Sequence, residues 1–396
     1  MQITEIRRYW KDSLMKEIRV ALIGGGGFMG RAHSLGYSVA TQLSDVNFRV
    51  RKAMLVDVNA DGAALAASAL GWEASSTDWR SVVASPDIDA VDIVTPPGLH
   101  KEIALAAIAH GKHVFCEKPI TNDVPGALEM WDAAREGGVI NQVGFNYRHI
   151  PAITQAKELL SSERLGAPLQ FRGTYLHDAL FFISDFGWRG SKATGGSGAT
   201  GDIGSHLIDI AEYLCGPIAR VSALQVSRDR SHADSGWLNS KDNAARNSLD
   251  EAATWIAEFE NGTIGTFSAG FYSPGKKNAL TFEVDATRGG VAFDWNNPDQ
   301  LVIDMLDDPA EIAGPRTVEV AQNVQSDVWY PVPGLGQGYI DGMAIQLRRF
   351  LQAIADETPA HPNFGEAVRI QQIIDAIEQS ATTHAWVTMP ERPKGI

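Results

Sequence analysis

The sequence predicts two kinds of architecture in one chain: an α/β domain on a parallel sheet, then an α+β domain on a large, mostly antiparallel open sheet. Three observations predict this. Apolar runs alternate with helical patterns from residue 18 to residue 145, as βαβ units do. From Leu169 onward the apolar residues recur with period two, as in strands with one covered face. The 396 residues exceed one ordinary domain and suit two. The expected division is an N-terminal arm over 1–14, a first domain over 15–148, and a second over 149–396 whose C-terminal helices have the length to return towards the first.

Ile18 to Gly30, IRVALIGGGGFMG, is an apolar run that breaks into glycines at 25, 27 and 30 and continues as RAHSLGYSVATQL. That reads as strand, turn and helix. Gly25 permits the tight turn, Gly27 lets backbone N–H groups approach a pyrophosphate, and Gly30 lets the helix pack against the strand. Phe28 and Met29 complete the turn, and the helix N-terminus offers free donors to an anion. A second apolar run, Val50 to Val58, ends in Asp57, 27 residues past Gly30, a carboxylate placed to accept from adenosine ribose hydroxyls. The first domain is therefore expected to be a Rossmann dinucleotide-binding domain. A ribose 2′-phosphate beside Asp57 meets like charge, with no Arg following in VDVNADG, so the expected cofactor is NAD rather than NADP. Asp57, Asn59 and Asp61 compete to cap the next helix, ADGAALAASALGW.

The alternation continues through a short helix at 79–84, a strand in AVDIVTPP (90–97), a helix in HKEIALAAIAHG (100–111), a strand in KHVFCEKP (112–119), a helix at 123–137 and a strand at 140–145. Then come LQFRGTY, ARVSALQV, TWIAEFENGTIGTFSAGF, ALTFEVDAT, VAFDW and QLVIDM, with Asn261-Gly262 as a hairpin turn. Helices are expected again at 340–355 and 366–380. The outer face of this sheet is expected to be an apolar patch that drives association into a homodimer or homotetramer.

A net charge of −14 and a pI near 5.2 argue against nucleic acid and anionic membrane as partners. Two cysteines make neither a disulfide framework nor a metal cluster, so no metal is expected and a reducing cytoplasm is. No apolar stretch is long enough to span a bilayer. No apolar region follows Arg7-Arg8, which argues against a twin-arginine signal. Residues 1–14 are either an appended arm or an upstream start.

Chemistry concentrates at two places. Glu117-Lys118-Pro119 stands at the carboxyl end of a strand, where ligands sit in open α/β sheets; Lys118 is either held there for use or a surface lysine. Asp202, His206 and Asp209 open the helix LIDIAEYLCG at spacings that share one helical face. His206 can take a proton near neutral pH beside a carboxylate, or Asp202 is an N-cap and His206 a satisfied polar residue. The glycine-rich stretch 189–204 reads as an active-site loop.

Together GGGFMGRAH, EKP, GFNYR, FGWRG and D-x-G-x-H-x-x-D resemble the Gfo/Idh/MocA family of oxidoreductases, over nearly the whole chain. The resemblance implies His206 as base, Lys118 as the group polarising the substrate oxygen, and Asp202 tuning His206. It also implies that Thr95, Pro96 and His100 line the cofactor cleft, that Glu117 sits against the nicotinamide, and that Tyr147, Trp188, Arg189 and Asp209 lie near cofactor or substrate. The implied activity is NAD-dependent oxidation of a secondary hydroxyl of a cyclic sugar or polyol, at C3 of a levoglucosan-like pyranose. The alternatives are an inositol 2-dehydrogenase, against which Tyr147 stands where some such enzymes have Arg, and a non-catalytic NAD-sensing regulator. Trp188, Trp329 and Tyr330 suit a sugar ring face, and equally a core or interface.

Overall fold

Lys16–Ile23 (β1) carries the apolar run of the first strand, and its last four residues are all buried, as expected of a strand covered on both faces. The computed structural model describes residues 15–41, 46–182, 192–227, 249–320, 337–393 and 395; the arm over 1–14 and Trp188, Arg189, Trp329 and Tyr330 lie outside them. Two compact units divide the chain. The first takes residues up to Ile120 with Ala127–Asn146 and Tyr339–Gly365, and the second Thr121–Gly126, Tyr147–Gly338 and Glu366–Ile396.

In the first unit β1 is joined by Phe48–Val56 (β2), Ala74–Ser76 (β3), Ala90–Ile93 (β4), His113–Cys116 (β5) and Asn141–Val143 (β6), all parallel, in the order β3-β2-β1-β4-β5-β6. The order reverses beside β1, and in open α/β sheets ligands bind at such a switch point. Between the strands run Phe28–Ala40 (α1), Ala60–Leu70 (α2), Trp79–Ala84 (α3), His100–Ala109 (α4) and Val124–Gly137 (α5). Far along the chain, Tyr339–Asp356 (α8) supplies Met343, Leu347, Phe350 and Ile354 to the same core as Ile18, Val20, Leu22, Tyr37 and Phe115. Gly36 makes that approach possible. A Cβ there would stand 2.9 Å from Leu347 and 3.1 Å from Met343.

The second unit is a nine-stranded sheet in the order β14-β13-β12-β11-β7-β10-β9-β8-β15. Its strands are Pro168–Leu176 (β7), Ile218–Val226 (β8), Ala252–Phe259 (β9), Ile264–Gly270 (β10), Ala279–Ala286 (β11), Gly289–Asp294 (β12), Gln300–Met305 (β13), Arg316–Glu319 (β14) and Val387–Thr388 (β15). Every pair is antiparallel except β7 with β10, which run parallel at the centre. Asn261-Gly262 turns the β9–β10 hairpin as expected, Gly262 at φ +86°. The longer helices here are Pro151–Ser161 (α6), Ser205–Cys215 (α7) and Phe364–Thr383 (α9).

One face of this sheet is aromatic. Trp255, Phe267, Phe171, Phe282 and Phe293 stack in succession, with centroids 4.9–6.1 Å apart. The other face departs from the expected apolar patch. It carries Thr174 bonded to Thr281, Thr254 beside Ser268, and Arg172 paired with Glu283 and Asp285. Leu224, Ile256, Ile264 and Val302 are scattered among these, because the alternate positions of the central strands are mostly threonine and charge.

Candidate active site

In the first unit the turn from β1 to α1 is built by glycines with different duties. Gly24, outside the glycines at 25, 27 and 30 that the spacing marks, adopts φ +92°, and a Cβ there would stand 2.9 Å from the backbone of Val94 and Thr95. A Cβ on Gly30 would stand 2.2 Å from the Gly25 carbonyl oxygen, whereas Gly27 faces open space. Gly27 begins α1 without a side-chain cap, so the N–H groups of the first turn stay available to an anion. Phe28 is exposed there, its ring 6.1 Å from Tyr339, whose hydroxyl reaches the Met29 sulfur.

The competition over Asp57 is resolved. Asn59 caps α2 by accepting from Gly62 N–H at 2.9 Å, and Asp57, one residue beyond β2, accepts from Gly26 N–H at 2.9 Å. The carboxylate therefore sits against the glycine turn. Across the switch point, the Thr95 hydroxyl oxygen is buried without a hydrogen-bond partner among the described residues. A buried polar group in that state is available to a ligand or a water. The open space at Gly27, the uncapped helix, Asp57 and this oxygen together fit a dinucleotide.

His100 is buried and spans two carbonyls, Thr95 at 2.7 Å and Pro119 at 3.0 Å. It thus ties the loop after β4 to the peptide after Lys118, and burial pushes its pKa down. Glu117 closes β5. It accepts from Lys118 N–H at 3.1 Å through one oxygen and meets His33 Nε2 at 3.1 Å through the other, while His33 Nδ1 meets Asp92 at 2.7 Å. Lys118 itself is half-buried, and Pro96 opens a short 3₁₀ turn that leads into His100.

In the second unit the segment before α7 is a π-helical turn, Thr200–Gly204, wider than the α-helix that the spacing predicts. Asp250 holds it. This buried carboxylate accepts from Gly198 N–H, Thr200 N–H and the Thr200 hydroxyl at 2.7–2.8 Å. Asp202 rides on the turn and His206 follows on the first turn of α7, buried. Asp202 does not cap α7, which begins at Gly204 without a side-chain cap.

The His206 ring meets Tyr147 edge-on at 4.8 Å and Tyr175 at 6.0 Å, and Trp295 stands 5.1 Å from Tyr147. The Tyr147 and Tyr175 hydroxyls lie 2.9 Å apart, and Asn278 donates to the first and accepts from the second. At the end of β7, burial pushes the His177 pKa down, against the Asp178 and Asp202 carboxylates, which raise it. Tyr175, His177, Asn278 and Trp295 were not found from the sequence, since they sit on separate strands and loops and share no local motif.

Asp209 lies elsewhere on α7. It is buried and gripped by Arg148, whose Nε lies 2.8–2.9 Å from both carboxylate oxygens, and Arg148 also reaches Glu366 at 2.6 Å. Burial opposes the Arg148 charge, but the two carboxylates raise its pKa above the ordinary value. This arrangement joins α7 to α9.

Residues 18–145 match the oxidoreductase family with an NAD-binding Rossmann fold, and residues 153–292 the GFO/IDH/MocA C-terminal domain. The chain is 36% identical over 390 residues to levoglucosan dehydrogenase of Pseudarthrobacter phenanthrenivorans, covering 95% of this chain and 99% of that protein. It is 30% identical over 276 residues to scyllo-inositol 2-dehydrogenase (NAD(+)) of Bacillus subtilis, covering 69% and 73%. Among solved structures it is similar to levoglucosan dehydrogenase in complex with NADH and levoglucosan, with TM-score 0.88, 35% identity, and 95% and 100% of the two chains covered.

Proposed function

Because the chain belongs to the GFO/IDH/MocA family of oxidoreductases, we propose that it is an NAD-dependent dehydrogenase oxidising a secondary hydroxyl of a cyclic sugar to a ketone, with C3 of a levoglucosan-like pyranose as the position oxidised. The observation that carries the reading is the second unit's cluster. His206 stands beside the joined hydroxyls and amide of Tyr147, Tyr175 and Asn278, flanked by Trp295, with Asp202 on the turn just before it. Aromatic faces suit the C–H face of a pyranose, and convergent polar groups suit its hydroxyls. The 36% identity to levoglucosan dehydrogenase supports the same substrate class.

In this reading His206 is the base that takes the hydroxyl proton, Asp202 stabilises the charge His206 acquires, and Lys118 donates to the substrate oxygen. NAD, when bound, supplies the hydride acceptor. The uncapped first turn of α1 receives the pyrophosphate, Thr95, Pro96 and Glu117 line the nicotinamide end, and His100 fixes the two loops that shape it.

The inositol alternative is supported by the 30% identity to scyllo-inositol 2-dehydrogenase. The combination of Lys118, Asp202 and His206 argues against a non-catalytic NAD-sensing regulator. The test follows NADH absorbance with levoglucosan, glucose, simple glycosides and inositols. Turnover on the pyranoses supports the proposal, turnover on inositols alone replaces it with the alternative, and NADH binding without turnover on any of them favours the sensor. A His206→Ala variant should lose about 10²–10⁴-fold in kcat, the usual worth of a positioned base, with NADH binding retained.

Association into a homodimer or homotetramer through the outer face of the nine-stranded sheet, and residence in the cytoplasm, belong to the same proposal. The scattered Leu224, Ile256, Ile264 and Val302 are the apolar contacts such an interface would use. Light scattering decides the first point, and a monomeric mass with full activity refutes it. No described helix is long and apolar enough to cross a membrane.

A further inference from the structure

His33 closes the GGGFMGRAH run, yet it has no part in the dinucleotide turn. Its side chain points into the sheet and is completely buried, as is that of Asp92. Nδ1 lies 2.7 Å from Asp92 Oδ2 and Nε2 lies 3.1 Å from Glu117 Oε1. The same Asp92 oxygen accepts from the Tyr37 hydroxyl at 3.0 Å, and the second Glu117 oxygen accepts from Lys118 N–H at 3.1 Å. Both carboxyl groups are thus used as acceptors. A neutral imidazole carries one N–H and would turn a lone pair towards one of them. An imidazolium donates to both.

We propose that His33 is a positioning residue: a buried imidazolium, bridging Asp92 and Glu117, that locks the Glu117 carboxylate and through it the backbone at Lys118. The surroundings shape a recess for the Glu117 carboxylate. A Cβ on Gly144 would stand 2.5 Å from Glu117 Oε1, so the glycine is the recess into which the carboxylate fits. The Phe115 ring stands edge-on to His33 at 5.4 Å. The titratable groups facing His33 are Asp92 on β4, which also holds the Tyr37 hydroxyl from the His33 helix, and Glu117 at the end of β5. Burial opposes the imidazolium charge, but the two carboxylates outweigh it and hold the His33 pKa up to about 10. Two buried carboxylates without a cation between them would be strongly destabilised. Removing the charge therefore frees Glu117 to turn outward and releases its bond to Lys118 N–H.

The importance of Lys118 rests on the dehydrogenase reading, whereas the protonation state of His33 does not. The first arm records imidazole 15N spectra of the full-length wild-type protein at pH 8. One of the ten histidines is expected to be doubly protonated and slow to exchange, and its signal should vanish in His33→Asn. A spectrum with no cationic histidine at pH 8 overturns the proposal, whether or not the variant folds and whether or not any sugar is oxidised. The second arm compares His33→Asn with wild type on the best substrate of the sugar panel. The expected loss is on the order of 10²-fold in kcat, as for a misplaced catalytic group, with sugar KM and the fluorescence-measured NADH Kd within about threefold. Wild-type kcat in a folded variant overturns the positioning role, as does a parallel loss of NADH binding.

Discussion

The phenol ring of Tyr147 stands edge-on to the imidazole of His206, their centroids 4.8 Å apart and their planes at 88°. Tyr147 is itself held from behind, its hydroxyl joined to Tyr175 and Asn278. A wall fixed at both ends can set the rotamer of the histidine packed against it. Tyr147→Phe keeps the ring and leaves Tyr175 and Asn278 one partner short, at a cost of about 1–3 kcal/mol. Tyr147→Ala opens a cavity beside His206 and should cost about 3–5 kcal/mol. The expected order in kcat is wild type, then Phe, then Ala, with the larger drop at the second step. If Phe is as slow as Ala in steady-state assays, the hydroxyl rather than the ring is what matters, and the packing argument fails.

The resemblance implies that Asp209 lies near cofactor or substrate, whereas the structure sets it in a buried ion pair with Arg148 that Glu366 extends. Removing the buried partner leaves Arg148 with Glu366 alone, and breaking a buried pair costs at most about 3–5 kcal/mol. Asp209→Asn should therefore lower the unfolding free energy obtained from urea titration by up to that amount, while leaving the KM of the folded fraction unchanged. A raised KM with an unaltered midpoint would return Asp209 to the substrate site.

The legible features are those whose physics is local. The glycines at 25, 27 and 30 are demanded by a turn and by helix–strand packing within a dozen residues, so they show in the sequence. The period-two runs from Leu169 show for the same reason. β3, the residues ASS at a sheet edge, carries no apolar signal. α6 is marked by Pro151 at its first position and by Ile153, Ala156, Leu159 and Leu160 at helical spacing, signs overshadowed by the change to period two. The parallel pairing of β7 with β10 depends on which strands meet, and neither strand records it. Of the candidate site, Asp202 and His206 lie on one short run and were found together, although the π-helical turn beneath them was not foreseen. His33, Asp92 and Glu117 are separated by 59 and 84 residues from His33 and only the sheet brings them together.

Asp57 is the residue to test for cofactor choice. Its carboxylate sits on the glycine turn by way of Gly26 N–H, where a ribose 2′-phosphate would meet like charge. Wild type should show a kcat/KM for NAD well above that for NADP. Asp57→Ala should narrow the ratio by weakening NAD and relieving the repulsion of NADP. Comparable kcat/KM values for the two cofactors in wild type, or an unchanged ratio in the variant, would refute this account of specificity.

The His33 cluster also predicts how the fold responds to alkali. The unfolded histidine has the ordinary pKa of 6.5, whereas in the folded chain it stands at about 10. The folded state therefore holds the extra proton between those values, and stability falls with rising pH wherever the folded state binds more protons. The contribution is fully present below pH 6.5 and is lost as the pH rises through about 10. Its size is on the order of a few kcal/mol for a shift of several units. Tyr37 acts in the same direction at still higher pH, because burial and the Asp92 charge hold its pKa well above the ordinary value. Urea midpoints measured at unit steps from pH 6 to 10 should fall steadily in wild type. In His33→Asn the starting midpoint should be lower and the slope across that window shallower. Equal slopes in the two proteins would mean that His33 is not the group whose proton is lost.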